Sequence, residues 1–293
     1  MRHVADRDPL TRSSPKARTD LSPTGRGDNG AAPALDQKIW EHLRGLKILL
    51  PFAFLVAIWW AVEAAGDFPQ NLLVSPLQAW RAFVHLVSHG VMAEYASTSL
   101  TMIGTAAFIS MAAGVPIGFL VGVNRYAAHA LEGFLRFLQG ISGIAWLPLA
   151  IIWFGFSHTT TLVIVIYTLI VPIIFNTMVG VRAIPENYAL ALRSLGAGRL
   201  RLVKDVYLPG ALPSIVVGLR LGMGYGWRAL IAAEMLVRKG GLGDLIFGAR
   251  TFGQIDRIMA GMVVIGCLYL VIDRLIVQPI ENLTVARWGL LRK

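Results

Sequence analysis

Six stretches of this chain are apolar for close to the ~20 residues that a helix needs to cross the hydrocarbon layer of a bilayer. They are residues 48–65, 100–123, 131–154, 161–181, 214–236 and 258–280, and they predict six transmembrane helices. Ahead of the first, Leu35, Ile39, Leu43 and Leu46 recur at helical spacing, with Asp36, Lys38, Glu41 and Arg44 between them. That pattern predicts an amphipathic helix over 35–47 lying on the membrane surface, with a solvated linker helix as the plainer reading. Residues 1–34 are rich in Pro, Gly, Ser, Thr and charge. Too few large apolar side chains remain there to offset the entropy of ordering, which predicts a disordered cytoplasmic tail. The connections between spans are unequal. Residues 155–160 make a short one, whereas 182–213 is long, polar and patterned, more than a plain linker requires.

Composition points the same way. Of 293 residues, 55% are hydrophobic and 15% charged, against about 25% charged in a soluble domain, and mean hydropathy is +0.61. The expected fold class is an all-α membrane protein. A net charge of +10 would suit nucleic acid, but the basic residues lie mainly between apolar runs, as the positive-inside rule requires, and nucleic acid is set aside as a partner. With the amino terminus inside, Lys and Arg number nine in residues 1–47, one in 124–128, five in 182–212 and three in 281–293. The outer segments carry one in 66–99, none in 155–160 and four in 237–257. The bias survives removal of the long tail and predicts both termini in the cytoplasm, with 281–293 as a short tail. Cys267 is the single cysteine, so no intrachain disulfide is expected, and its apolar surroundings suit a small hydrophobe. Arg2, Asp6, Arg7, Asp8 and Pro9 give the start no apolar core of a cleavable signal. The chain has no G-x-x-x-x-G-K-[ST] phosphate loop, no HExxH and no nucleophile elbow, so hydrolysis of ATP by that route is not expected of it. His85 and His89 stand four apart but lack further ligands nearby, which argues against a metal site.

Residues 185–213 read as two short amphipathic helices around a glycine turn. Pro185 and Glu186 suit a helix start; Tyr188, Ala191, Leu192 and Leu195 follow at helical spacing, and Gly196 suits the stop. A second helix is expected over about 198–207, ending before Leu208-Pro209. Gly196, then nine residues, then Val206-x-Leu208-Pro209 resembles the second half of the Glu-Ala-Ala ("EAA") loop of bacterial ABC importer permeases. The first half is degenerate, with Leu190 at the Glu position and Ala191 and Leu192 at the Ala positions. Ser194-Leu195-Gly196-Ala197, 208–213, 218–222, Ala145-Trp146-Leu147-Pro148-Leu149 running to Gly155, and Gly226-Trp227 through Glu234 look like the taurine, sulfonate and nitrate branch. The resemblance spans about residues 50–280.

That resemblance implies a type I (MetI-like) permease fold in the bacterial inner membrane, working as two copies of itself with two separate ABC ATPase subunits and an extracytoplasmic solute-binding protein. No cofactor is expected on this chain; ATP and Mg2+ belong to the ATPase partners. The coupling element would comprise Glu186, Ala191, Leu195, Gly196, Ala197, Val206, Leu208 and Pro209, and the solute a small anion or organic compound. The alternative, a stand-alone ion-coupled secondary transporter, would ordinarily show related halves and midplane acids, and no such repeat is evident.

Ionisable side chains within a span are costly and need a reason. Arg220, Arg228 and Glu234 share the fifth span. Arg228 is placed to offer a guanidinium to anion oxygens in fork geometry. Arg220 either faces the same pathway or snorkels and pairs at the inner end, and Glu234 either pairs with an arginine or meets water at the outer end. Trp146 and Trp227 are further pathway candidates. Gly218, Gly222 and Gly226 are spaced for close helix packing, and Pro116, Pro148 and Pro172 are expected to kink spans two to four. The basic outer segment 238–257 suits either a docking surface for a solute-binding protein or ordinary loop charge.

Overall fold

The computed structural model describes residues 34–66 and 72–287, and every regular element among them is helical. The predicted tail over 1–34 therefore lies almost wholly outside the described residues, as do residues 288–293. Contacts divide the chain into two units, Met1–Leu55 and Val56–Lys293. The described part of the first is the start of helix α1 (Ala34–Ala65), which takes in the predicted 35–47 helix. The side chains up to residue 49 lie outside those described.

Among the described residues, four helical runs are long and apolar enough to cross a membrane: α3 (Val91–Val123), α6 (His158–Arg182), the run Arg199–Val237 and the run Ile255–Asn282. The six-span expectation needs two amendments. The apolar part of α1, Leu50–Ala65, is shorter, and the third predicted span is not one rod. It is α4 (Arg125–Gly140) and then a turn at Gly143–Trp146 leading into α5 (Leu147–Phe154), bent by 85°. Ile141 and Ser142 are extended, with ψ of 119° and 137°, so the helix breaks between two glycines. Pro148 starts α5 instead of kinking a span, a position where its missing N–H costs nothing. Pro116 and Pro172 do sit inside α3 and α6.

Helix α6 is the centre of the second unit and packs along both α3 and α9 (Leu208–Val237). Its Ile164, Leu169 and Ile173 are among the most deeply buried side chains. Two glycine ladders make this possible. A β-carbon on Gly118 would stand 2.5 Å from the Ile174 carbonyl oxygen, and one on Gly222 would stand 3.1 Å from that of Leu169. Gly114 and Gly122, and Gly218 and Gly226, press on α6 likewise. Lipid gives packed helices no hydrophobic drive to associate, so close backbone approach carries the association instead.

Helix α7 (Glu186–Ser194) and the short α8 (Arg199–Leu202) follow α6 as predicted. The second helix does not stop before Pro209, however. It passes through a wide π turn, Val203–Tyr207, straight into α9. The extra residue in that turn makes room for a proline ring that would otherwise strike the carbonyl four residues earlier. Three helices fall where only outer segments and a tail were expected. They are α2 (Pro76–Ser88), α10 (Leu242–Thr251) and, after α11 (Ile255–Ile272) and a second π turn, α12 (Gln278–Arg287). Helix α2 carries a full capping box: Ser75 Oγ accepts from Gln78 N, and Gln78 Oε1 accepts from Ser75 N.

Candidate functional site

The 85° bend leaves a cavity of about 440 Å³ between the break, α6 and α9. Its polar lining is Gln139 and Ser142 from the break, Tyr167 and Thr168 from α6, and Tyr225 and Arg228 from α9. The bend is pinned to α6. Tyr167 Oη donates to the Leu138 carbonyl at 2.6 Å, satisfying a helix-end acceptor that the break exposes. Gly143 lies so close to α6 that any β-carbon would collide with Thr168 Oγ1. Arg228 is anchored at its stem, with Nε donating to the Gly224 carbonyl at 3.0 Å and the guanidinium 5.2 Å from the Tyr225 ring centroid. Its terminal N–H groups make no hydrogen bond or ion pair to the described residues, so a cation with fork geometry stands over an otherwise neutral cavity.

Of the other pathway candidates, none lines this cavity. Trp146 packs beside it, 5.8 Å from the Tyr167 ring, and Trp227 is 4% exposed in the core against Tyr269. Arg220 is occupied: it bonds Glu281 of α12 and, at 3.3 Å, Asp273 of the second π turn. That corresponds to pairing at the span end and not to an open pathway. Glu234 pairs with no arginine among the described residues and does not meet water, being 3% exposed. It accepts from Ser99 Oγ at 2.8 and 2.9 Å and from Gly243 N at 3.0 Å, while Ser99 Oγ accepts from Leu242 N at 2.9 Å. The cause is α10, whose own N-cap is Gly241, without a capping side chain. Ser99 and Glu234 supply from other helices the acceptors its first amides lack.

At the far end of α9 lies the segment 185–209, which the sequence pattern predicts to be a coupling element. Gly196 has φ +80°, with Gly196 N donating to Arg193 O at 2.9 Å and Ala197 N to Leu192 O at 3.1 Å. Those are the two bonds of a Schellman motif, which requires the left-handed residue glycine supplies. Ala189 and Leu202 are buried, so the pair of helices is seated on the bundle, while Tyr188 at 63%, Leu195 at 83% and Leu200 at 83% exposure project from it. Glu186 and Ala191 share the exposed side, Ala197 and Val206 are half-buried, and Leu208 and Pro209 open α9. Tyr207 fixes the base, edge-on to Phe119 at 6.0 Å.

Residues 114–277 match the family described as the binding-protein-dependent transport system inner membrane component. The chain belongs to that family. It is 34% identical over 262 residues to the bicarbonate transport system permease protein CmpB of Synechococcus elongatus, covering 85% of this chain and 93% of that one. It is 29% identical over 226 residues to the taurine transport system permease protein TauC of Escherichia coli, covering 75% and 82%. The nitrate import permease protein NrtB of Synechocystis is 31% identical over 187 residues, covering 64% and 68%. A chain of the MetNI methionine ABC transporter, solved in inward-facing conformations, shares the fold with a TM-score of 0.50 at 21% identity, covering 71% of this chain and 99% of that one. The chain is thus a permease of an inner-membrane transport family, with the MetI-like helical fold. The matched region begins at the first rung of the α3 glycine ladder and includes the cavity and residues 185–209. The residues that sequence reasoning missed are Gln139, Ser142, Tyr167, Thr168 and Tyr225 of the cavity and the ladder Gly114, Gly118, Gly122. Only the ladder had a readable signal, glycine at every fourth position.

Proposed function

We propose that this permease forms, with a second copy of itself, the translocation pathway of an ATP-driven importer for a small oxyanion, powered by two separate ATPase subunits and fed by an extracytoplasmic solute-binding protein. The observation that carries this reading is the unbroken helical run Arg199–Val237. It joins the exposed Leu200 at one end to Arg228 at the cavity, 28 residues or about 42 Å along one rod. A rigid rod of that kind transmits a partner's movement to the pathway, as rocking between two access states requires. The proposed solute class rests on Arg228 and on the relatives named for taurine, bicarbonate and nitrate, all carrying negative oxygens. The charge bias along the chain supports a cytoplasmic placement for the 182–213 segment and both termini.

The test is uptake into proteoliposomes holding the permease, its ATPase subunits and its binding protein, with labelled taurine, nitrate and bicarbonate offered in turn. ATP-dependent accumulation of one of them is expected. Accumulation by this chain alone on an ion gradient would replace the reading with a secondary transporter. Orientation is checked separately by placing a cysteine at Ser194 in a Cys267→Ser background, where labelling from the cytoplasmic side alone is expected.

A further inference from the structure

Helix α4 shows three different faces. Ala128, Leu131, Leu135 and Leu138 turn to the bundle, where Leu135 is buried. Tyr126, Phe134 and Phe137 form an exposed aromatic stripe beside them. The third face carries Arg125, His129, Glu132 and Arg136 at positions i, i+4, i+7 and i+11, and with Arg182 from the end of α6 it encloses a second cavity of about 590 Å³. Glu132 holds two of the guanidinium groups, Arg136 at 2.8 Å and Arg182 at 3.1 Å. One carboxylate against three arginines leaves an excess of two positive charges. Arg125 has no ion pair among the described residues. The His129 ring is oriented by Nδ1, 2.7 Å from the Arg125 carbonyl, which can only accept. At Gly133 a β-carbon would meet nothing within 4 Å, so the mouth of the cavity is open.

We propose that this pocket binds the phosphate of an anionic phospholipid headgroup. Two fixed, partly neutralised guanidinium groups with a third one free match the oxygens of a phosphodiester. The aromatic stripe decides the source: exposed aromatic side chains on a helix at the end of a membrane bundle mark the headgroup level, and basic pockets between helices at that level take anionic lipid heads. The pocket lies at the same end of α6 as the coupling segment, three residues from Pro185, so a bound lipid would brace the platform on which α7 sits.

The test uses the full-length chain, purified in detergent and stripped of lipid, then titrated with phosphatidylglycerol or phosphatidylcholine of matched acyl chains and read by native mass spectrometry. Phosphatidylglycerol is expected to be retained in preference to phosphatidylcholine. Each guanidinium removed should weaken it about fivefold, so Arg125→Ala with Arg136→Ala should weaken it about thirtyfold. Gly133→Leu, which places a bulky side chain at the mouth where its β-carbon meets nothing within 4 Å, should abolish the preference. Arg81→Ala on α2, at the opposite end of α3, should leave it unchanged. Equal retention of the two lipids, or a preference untouched by both the double variant and Gly133→Leu, overturns the proposal. Displacement of the lipid by inorganic phosphate alone overturns the lipid as occupant and leaves a site for free anions.

Discussion

Replacing Ser99 by alanine should destabilise the fold far more than any other serine-to-alanine change on α3. Ser99 Oγ gives its proton to the Glu234 carboxyl at 2.8 and 2.9 Å and takes the Leu242 N–H at 2.9 Å, in a site with essentially no solvent. The substitution removes the hydrogen bond to the carboxyl, about 1–3 kcal/mol, and strands a buried amide at a further cost of about 1–3 kcal/mol. Some relaxation is inevitable and the two are not additive, so the expected loss is about 3 kcal/mol. The natural control is Ser97→Ala, two residues away, whose exposed hydroxyl only reaches the Glu94 carbonyl and should shift stability by under about 0.5 kcal/mol. Unfolding by sodium dodecyl sulfate in mixed micelles, followed by tryptophan fluorescence, gives both numbers. A double-mutant cycle of Ser99→Ala with Glu234→Gln should show a coupling above about 1 kcal/mol. If Ser99→Ala behaves like Ser97→Ala, or the cycle shows no coupling, the capping of α10 from other helices is not what holds that end together.

Three further outcomes follow from the same geometry. Gly118→Leu should cost about 3 kcal/mol or prevent folding, because backbone lies 2.5 Å from the new β-carbon, whereas Gly133→Leu, mid-helix with nothing within 4 Å of its β-carbon, should cost no stability and gain up to about 0.8 kcal/mol of helix propensity in the same unfolding assay. Gly196→Ala meets no steric obstacle but must hold φ near +80°, at a cost of about 1–2 kcal/mol, and hydrogen exchange across 186–194 should accelerate. Arg228→Ala should lower kcat/KM for oxyanion uptake about tenfold or more at matched expression, with Arg228→Lys recovering only part of it, since an ammonium lacks the fork; an unchanged apparent affinity in Arg228→Ala would discard anion contact.

How legible each feature was depended on the sequence distance of its cause. Helices α3, α6 and α9 were readable because lipid demands a long apolar run and nothing else. Gly196 was readable because a Schellman turn is set by the residues beside it. The capping box of α2, Ser75-Pro76-x-Gln78, was equally local and was passed over only because the segment lacks a span's hydropathy. The bend after α4 was not readable from hydropathy, which is the same for a straight or a broken run; its one trace was the glycine pair Gly140 and Gly143. The partners of Glu234 and Arg220 were not readable, for a different reason. They stand 135 residues away at Ser99 and 53 and 61 residues away at Asp273 and Glu281, and no spacing rule connects such positions. A costly ionisable residue in a span announces that something compensates it, without saying what.

The two π turns bear on how movement would travel. Leu208 N–H reaches back to the Val203 carbonyl, and Gln278 N–H to that of Asp273; a proline follows at once in both cases, Pro209 and Pro279. Within an α-helix each proline would deny a bond to the carbonyl four residues before it and crowd it sterically. Widening the preceding turn by one residue relieves the clash while the chain stays helical, so α8 continues into α9 and α11 into α12 where a proline would ordinarily have ended the rod. Arg220 then ties the two runs together, through Asp273, the first residue of the second turn, and Glu281 beyond it. Arg220 sits between α8 and Arg228 on the same helical run. On the coupling proposed above, a displacement entering at Leu195 and Leu200 would meet the α12 clamp before it reached the cavity, so that α8–α9 would move together with α12 and not alone.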